Sequence, residues 1–305
     1  MPWLARRTYG RRGVAILVYH APEPDLFARH LDYLSRHYTF VALDAVVEAL
    51  RSGRWEEIPD RSVVLTIDDG KSEVYALRPI FERYGVVPTL FVCSQLIGTN
   101  RQFWFEVGAD REALKRIPHE QRLERLQRSA GYSLTKEYPG LAPAALTVEQ
   151  LRELEGLVNI GSHTRFHPIL TTCSDELSRE EIAQSRREIE DVTGHSCAHF
   201  CPPNGSYSER ELAFVRESGY LSARTTQPGW VRPTTDPYRL PVLGIDDTAS
   251  VTRLAAAMAG AGFGWRLARS LLGRGGRRAA APNGADGAVG ATLPKSLEAP
   301  HSSGT

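Results

Sequence analysis

The sequence predicts an α/β fold with a parallel sheet, most simply a single α/β barrel, on three observations. Short apolar runs alternate with helical segments along most of the chain, which is typical of βαβ units with right-handed crossovers. The run at residues 63–67 contains only apolar or β-branched residues, as in a strand that helices cover on both faces. A length of 305 residues is enough to bury one large core.

The predicted strands are short apolar or β-branched runs, most of which end at a turn signal or a polar residue. The first ends at His20, and the central one ends at Asp68, Asp69 and Gly70. In α/β sheets and barrels, catalytic groups collect in the loops after the carboxyl ends of the strands, so a site is expected there. In chain order the predicted strands cover residues 14–19, 40–41, 63–67, 88–93, 158–161, 198–201, 221–223 and 240–245.

The predicted helices lie between these strands and have recognisable ends. Two begin with a capping-box pattern, formed by Thr147 with Gln150 and by Ser178 with Glu181. The helices at 73–84 and 178–193 are each followed by a glycine, as expected at a helix end. In chain order the predicted helices cover residues 25–37, 43–50, 73–84, 147–154, 178–193 and 208–218.

Residues 98–146 interrupt this alternation. The stretch is charged, has three aromatic residues at 103–105 and has helical propensity over 110–128. It is longer than an ordinary crossover, so we expect an insertion that flanks the functional site. The predicted organisation is a basic segment at residues 1–13, a catalytic barrel at 14–250 that includes this insertion, a closing or surface helix at 251–278 and a disordered tail at 279–305.

Composition and charge limit the classes of partner. A formal net charge of +1 argues against a nucleic-acid partner. No apolar segment of signal-peptide type follows the basic residues at 1–13, so a cytoplasmic location is expected. Residues 254–278 could lie on a membrane surface, but a closing helix of the domain is the favoured interpretation. The sequence indicates no obligate protein partner.

Two carboxylates and two imidazoles stand in loops after predicted strands. Asp68 and Asp69 follow the central strand, and His163 and His167 follow the strand at 158–161. Each pattern alone is weak, because Asp-Asp-Gly is typical of a turn and His-x-x-x-His is commonly incidental. Together they predict that Asp69, His163 and His167 bind a divalent metal, since two His and one carboxylate leave positions open for a catalytic water.

Asp68 is the candidate general base at such a site. A metal lowers the pKa of its bound water from about 15.7 to near 7. A carboxylate within hydrogen-bond reach can take the remaining proton as the water attacks a carbonyl carbon, while the metal and a backbone N–H hold the oxyanion. The predicted chemistry is hydrolysis of an amide or ester without a covalent intermediate.

Three motifs, in this order, resemble those of the polysaccharide deacetylases, carbohydrate esterase family 4. They are Thr-Ile-Asp-Asp-Gly at 66–70, His-Thr-x-x-His at 163–167 and Cys-Pro-Pro-Asn-Gly at 201–205. The similarity covers roughly residues 14–245, and Leu-Val-Tyr-His at 17–20 resembles the branch found in bacterial exopolysaccharide systems. The resemblance implies a distorted (β/α) barrel of about seven parallel strands, Zn²⁺ or a similar divalent metal, and removal of acetyl groups from an N-acetylated glycan.

The resemblance also implies roles by position. Asp68 would be the general base, and Asp69, His163 and His167 would be the metal ligands. The backbone N–H near Asn204 would be the oxyanion donor. The predicted sugar contacts are Pro203 and Gly205 of the third motif. Trp230 is a further candidate, since its ring suits the wall of a sugar site, with an ordinary packed Trp as the alternative.

Two departures from the family pattern leave parts of the mechanism open. Cys201 and Asn204 stand where the family usually has Arg and Tyr. That Arg helps to hold the base carboxylate, so the orientation of Asp68 is not predicted. The family's general-acid His near the last strand is also missing. His20 is the first candidate for this acid, with Asp246 or water as the alternatives.

Three functions remain open from the sequence. The first is a metal-dependent deacetylase that removes N-acetyl or O-acetyl groups from a sugar of a polysaccharide, an oligosaccharide or a lipid-linked glycan precursor. The second keeps the metal site but hydrolyses a C–N bond outside carbohydrates, since one fold supports both. The third is a degenerate carbohydrate-binding module without activity. The presence of Asp68 together with Asp69, His163 and His167 argues against the third.

Overall fold

The computed structural model describes residues 13–108 and 110–260. Strands and helices alternate along most of this part of the chain, as the sequence predicts. In order they are β1 (Ala15–Tyr19), α1 (Pro24–Ser35), β2 (Thr39–Phe40), α2 (Leu43–Ser52), β3 (Ser62–Ile67), α3 (Arg78–Tyr84), β4 (Thr89–Val92), α4 (Trp104–Val107), α5 (Arg111–Lys115), α6 (His119–Ala130), α7 (Val148–Glu153), β5 (Asn159–Ser162), α8 (Asp175–Thr193), β6 (His199–Phe200), α9 (Glu209–Glu217), β7 (Ser222–Pro228), β8 (Leu240–Gly244) and α10 (Val251–Met258).

Seven parallel strands close into a barrel. Strand β1 pairs with β3 on one side and with β8 on the other, and β4 to β7 complete the ring. Strand β2 pairs only with the first two residues of β3 and stands outside the ring. The ring is irregular, because the register between β7 and β8 shifts between Arg224 and Pro228. The predicted distorted barrel of about seven parallel strands is confirmed.

Side chains alternate between the inside of the barrel and its outer surface. Ile16 and Val18 of β1 lie in the same buried cluster as Val64 of β3 and Phe91 of β4. The intervening residues of β1 and β3 lie in a second, larger cluster with side chains of the flanking helices. The barrel therefore has an apolar interior and an outer core, as expected for a parallel sheet covered by helices.

Helix α2 closes the amino-terminal end of the barrel. Its residues Leu43, Val46 and Val47 belong to the interior cluster. Asp44 accepts hydrogen bonds from His199 Nε2 at 3.0 Å and from the Asn159 side chain. Because this end is plugged, the carboxyl ends of the strands form the face at which a substrate can approach.

Helix α8 begins earlier than predicted. Its N-cap is Ser174, whose hydroxyl accepts from the Leu177 N–H at 3.2 Å. The predicted capping box of Ser178 and Glu181 is therefore wrong. Ser178 lies inside the helix, where its hydroxyl donates to the Leu170 carbonyl at 3.2 Å. The capping box of Thr147 and Gln150 is confirmed.

Proline divides two other predicted helices. The helix predicted over 73–84 is a 3₁₀ segment, Ser72–Leu77, followed by α3, which has a proline in its first turn. The helical stretch predicted over 110–128 is α5 and α6, with Pro118 as the N-cap of α6. Proline has no N–H to continue a helix, and it disfavours the α conformation at the residue before it.

The chain beyond β8 closes the outer core. Within the predicted segment 251–278, Leu254 and Met258 of α10 belong to the outer buried cluster, so this helix packs against the barrel. The remainder of that segment, the predicted tail at 279–305 and nearly all of the basic segment at 1–13 lie outside the described residues. No helix in the described part of the chain is long and apolar enough to cross a bilayer.

The barrel interior predicts the effect of a single added methyl group. A Cβ on Gly161 of β5 would lie 2.7 Å from the Phe91 ring and 3.0 Å from the His199 carbonyl oxygen. We expect Gly161→Ala to lower the free energy of unfolding of the metal-free protein by about 1–3 kcal/mol, because an overpacked core must shift. Urea denaturation measures this change. Gly244→Ala in β8 is the control, since its Cβ would meet nothing within 4 Å. Equal stability of the two variants would contradict the packing described here.

Candidate active site

His20 and Asp68 are brought side by side by the pairing of β1 with β3. Tyr19 pairs with Ile67, and the Asp68 N–H donates to the Tyr19 carbonyl at 2.9 Å. The next residues of the two strands, His20 and Asp68, are therefore level with each other. Because Tyr19 and Ile67 face the outer core, His20 and Asp68 turn toward the barrel axis.

Asp69 leaves the strand in a left-handed conformation. Its φ is 69°, and Gly70, which follows, has a φ of 68°. A Cβ on Gly70 would lie 2.6 Å from Val92 Cγ1, so only glycine fits this turn. This turn directs the Asp69 side chain away from that of Asp68, so the two adjacent carboxylates take different partners.

His163 follows β5 and lies at the neighbouring strand end. Its Nδ1 is 2.7 Å from the Cys201 carbonyl oxygen, which can only accept, so Nδ1 carries the proton. Burial lowers the pKa of His163 to about 4. The imidazole is therefore neutral at pH 7, and its Nε2 presents a lone pair to Asp69.

His167 comes from the loop that follows His163. The loop is not helical, since Thr164 and His167 have φ values of 71° and 59°. The Thr164 hydroxyl accepts from the His167 N–H at 3.1 Å and fixes the turn. The rings of His163 and His167 meet edge to face with centroids 4.8 Å apart.

The structure brings the three predicted metal ligands together. Asp69 Oδ1 is 3.6 Å from His163 Nε2 and 3.3 Å from His167 Nε2. Donor atoms at zinc distances of 2.0–2.1 Å and tetrahedral angles lie about 3.3–3.4 Å apart, so this set fits a divalent ion. All three side chains are buried. Burial acts to raise the pKa of Asp69, but the interactions with the surrounding histidines, that of His167 first, together outweigh it, and the net pKa is lowered. Asp69 is therefore ionised, as a ligand must be.

Arg224 of β7 holds Asp68. Its Nη2 donates to Asp68 Oδ2 and lies 2.8 Å from Cys201 Sγ. The Arg224 side chain is 1% exposed. Burial has the largest single effect on the pKa of Asp68 and acts to raise it, but the charge and hydrogen bond of Arg224, together with the nearby His163 and His20, outweigh it, and the net pKa is lowered. Position 201, where the resembling family usually has Arg, is a cysteine here. Arg224 on the neighbouring strand β7 contacts the Asp68 carboxylate instead.

Asp68 keeps one oxygen free. Its Oδ1 is buried and has no hydrogen-bond partner among the described residues. Asp68, His163 and Cys201 also lie close enough to form a second set of possible metal ligands. The charge of Arg224 against both Asp68 and Cys201 opposes a cation there, so the Asp69 set is the better metal site.

The 3₁₀ segment Pro203–Gly205 follows β6 and carries Asn204, which is exposed and has a φ of 57°. Pro203 and Gly205 are buried. A Cβ on Gly205 would lie 2.2 Å from Thr226 Cγ2, so packing against β7 accounts for this glycine without a sugar contact.

Trp230 lies at the other end of the barrel. It precedes Val231, whose backbone pairs with Val14 at the amino end of β1. The site follows the carboxyl end of β1, roughly 16 Å away along the strand. The chain turns back after β7, and Trp230 packs against the outer core. The prediction that Trp230 lines the sugar site is therefore wrong, because the residue lies at the opposite end of the barrel.

The stretch at 98–146 contacts the site through its aromatic residues. Trp104 Nε1 donates to the His167 carbonyl at 2.8 Å, and the ring centroids of Phe105 and His167 are 4.7 Å apart. Lys71, which follows the Asp-Asp-Gly turn, pairs with Glu106 at 2.5 Å. This segment therefore supports one side of the loop that carries His163 and His167.

Sequence reasoning missed two residues of this site. Arg224 stands directly after the apolar run at 221–223, a position at which a charged side chain at a strand end could have been noticed. Trp104 gave no signal of its own, because its contact with His167 spans 63 positions of sequence.

A closed parallel barrel with carboxylates and imidazoles gathered at the carboxyl ends of its strands has the arrangement of an enzyme active site. A family model described as polysaccharide deacetylase matches residues 56–223, more than half of the chain. The chain belongs to the polysaccharide deacetylase family.

Individual relatives are distant. The protein YxkH of Bacillus subtilis (strain 168) is 22% identical over 172 residues, which are 56% of this chain and 46% of that protein. The chain thus matches about half the length of this curated relative. Streptococcus pyogenes deacetylase PplD has a TM-score of 0.61 at 22% identity, over 81% of this chain and 99% of that one. IcaB from Ammonifex degensii has a TM-score of 0.60 at 20% identity, over 81% and 97%. These structures share the fold.

The buried pair of Asp68 and Arg224 predicts a large loss of stability when one partner is removed. Arg224→Met leaves the Asp68 carboxylate buried without its counter-charge. We expect the metal-free protein to lose about 3–5 kcal/mol of unfolding free energy at pH 7, measured by urea denaturation. The double variant Asp68→Asn/Arg224→Met is the control and should recover most of the loss, since neither charge remains.

The same pair sets the direction of the pH dependence. The folded-state pKa of Asp68 lies below its unfolded value of about 3.9. Its contribution is therefore complete above that value and disappears as the pH falls through the folded-state pKa. The difference in unfolding free energy between wild type and Arg224→Met should therefore become smaller as the pH falls below that value. A difference that grows in acid would contradict the pairing.

Proposed function

We propose that the protein is a metal-dependent deacetylase that removes an acetyl group from an N-acetylated sugar of a glycan. The observation that supports this most is that two adjacent carboxylates have different partners: Asp69 faces two imidazoles, and Asp68 faces Arg224. One carboxylate is placed to bind a cation, and the other is placed beside it with a free oxygen.

Asp69, His163 and His167 would hold the divalent metal, with Zn²⁺ as the first choice for one carboxylate and two imidazoles. When bound, such an ion lowers the pKa of a water ligand and polarises a carbonyl oxygen. The remaining steps belong to side chains of this chain.

Asp68 acts as the general base. Arg224 occupies its Oδ2 and keeps the carboxylate ionised, so that Oδ1 is the oxygen left to take a proton. A base must lie within hydrogen-bond reach of the proton it removes, and a fixed carboxylate next to the metal ligands meets that requirement. Arg224 orients this base, in place of the Arg that the family usually has at the position of Cys201.

A backbone N–H near Asn204 would hold the developing oxyanion. The segment Pro203–Gly205 follows β6, whose neighbour β5 carries His163. The left-handed φ of Asn204 turns the chain sharply at this point. A fixed backbone donor needs no reorganisation during the reaction, which is what makes such donors effective.

His20 is the better candidate for the general acid. It lies level with Asp68, its side chain is exposed, and its backbone N–H is held by Asp247 at 3.1 Å. Asp246 accepts two hydrogen bonds from Thr248, which lower its pKa. A carboxylate that is harder to protonate is a poorer donor to a leaving amine, so Asp246 is second to His20.

The first test measures zinc content and acetate release from an N-acetylglucosamine oligomer. Wild type should bind one equivalent of zinc and release acetate. Asp68→Asn should keep its zinc, while kcat falls at least about 10²-fold, because the general base is lost. Asp68→Asn/Arg224→Met should behave in the same way, and it controls for the unpaired Arg224.

Other results would replace this proposal. Zinc binding without acetate release would favour a C–N bond outside carbohydrates. Binding of the oligomer by wild type and Asp68→Asn alike, with no turnover in either, would favour the carbohydrate-binding module. No zinc in wild type, even after zinc is supplied, would rule out the triad.

The acid is tested by a matched pair of variants. We expect His20→Gln to lower kcat about 10²-fold with little change in KM or zinc content. Asp246→Asn, on the neighbouring loop, should stay close to wild type. The reverse result would assign the acid to Asp246, and two active variants would leave protonation to water.

A further inference from the structure

The loop that carries the two candidate imidazole ligands is conformationally costly. Thr164 and His167 are both non-glycine residues with left-handed φ values, 71° and 59°. Such positions cost of order 1 kcal/mol each and persist only when the surroundings hold them. The five-residue loop 163–167 therefore needs contacts that fix its backbone.

A single buried carboxylate oxygen holds the centre of this loop. Glu181 Oε2 accepts from the Arg165 N–H at 2.8 Å and from the Phe166 N–H at 3.1 Å. These are two consecutive amides between His163 and His167. Glu181 is 2% exposed and lies on the inner face of α8, away from the helix end where the sequence predicted it to act.

The opposite side of the loop is held by neutral backbone groups. The Ser94 N–H donates to the Thr164 carbonyl and the Gln95 N–H to the Arg165 carbonyl, both at 3.1 Å. The Arg165 side chain turns outward, where its Nε donates to Glu188 Oε1 at 3.0 Å and it also pairs with Glu180. The guanidinium of Arg165 is thus engaged by two other carboxylates.

Stability alone does not account for an acid at this position. Burial raises the pKa of Glu181 to about 7, against hydrogen bonds from Phe166 and Arg165 that lower it. An ionised carboxylate here costs the metal-free protein free energy that a neutral acceptor of the same shape would not cost. A cation bound by the adjacent loop would offset this cost.

We propose that Glu181 is a positioning residue of the metal centre: it fixes the backbone between His163 and His167 and places a negative charge behind the ligand loop, which strengthens binding of a divalent cation. This inference rests on the proposed metal site and adds a residue to it. Groups outside the ligand set that hold the ligands typically contribute ten- to a hundredfold in metal affinity.

The experiment is a zinc titration of the metal-free protein, with Glu181→Gln as the test variant. Glutamine keeps an oxygen that can accept from both amides but removes the charge. We expect its zinc dissociation constant to rise at least about tenfold. The urea midpoint of the metal-free variant should stay equal to that of wild type or rise, since a costly buried charge is gone. Glu180→Gln is the control, because Glu180 pairs with the Arg165 side chain and not, among the described residues, with the backbone of the loop.

Each outcome decides one question. If wild type binds no zinc, the proposed function fails and not this inference alone. If wild type, Glu180→Gln and Glu181→Gln bind zinc equally well, Glu181 has no role in the metal centre. If Glu181→Gln loses affinity together with a matching fall in the urea midpoint of the metal-free protein, the residue holds the fold, and the proposal is overturned as well.

Discussion

Two adjacent carboxylates buried at the end of one strand are the constraint on which the site depends. Asp68 and Asp69 are each 5% exposed, and ionised groups at such depth require partners. The chain supplies two different ones. The left-handed turn at Asp69 directs its carboxylate to two imidazoles, whereas Asp68 stays with the strand and meets Arg224. A candidate base and a candidate metal ligand thereby stand side by side without sharing a partner.

Closure of the barrel makes this arrangement possible. Strands β1 and β3 are separated in sequence by two helices and a short strand, yet their pairing sets His20 level with Asp68. Strands β5 to β7 bring His163, Cys201 and Arg224 to the same end, while α2 plugs the other. The position of Arg224 depends on the small side chain at Cys201, whose sulfur it contacts at 2.8 Å. Arg224 on β7 thus supplies the guanidinium that is missing from position 201 after β6.

The sequence predicted the parts of the site whose residues are close together along the chain. Asp68 with Asp69 and His163 with His167 were found because their spacing and strand ends are local, and the structure brings the predicted ligands together. Trp230 was misplaced because nothing local reveals that the chain reverses after β7. The start of α8 was misjudged because Ser174 and Ser178 are equally good caps by composition. Their surroundings decide between them.

The sequence by itself determined the parallel βαβ architecture, because hydrophobic periodicity and end signals are properties of short segments. It also determined which residue types could bind a metal and move a proton. Only the tertiary structure decided that Arg224 holds Asp68, that Trp104 supports His167 and that Glu181 holds the loop between the two histidines. These contacts join residues from different elements, and their geometry follows from barrel closure and burial, which no local pattern contains.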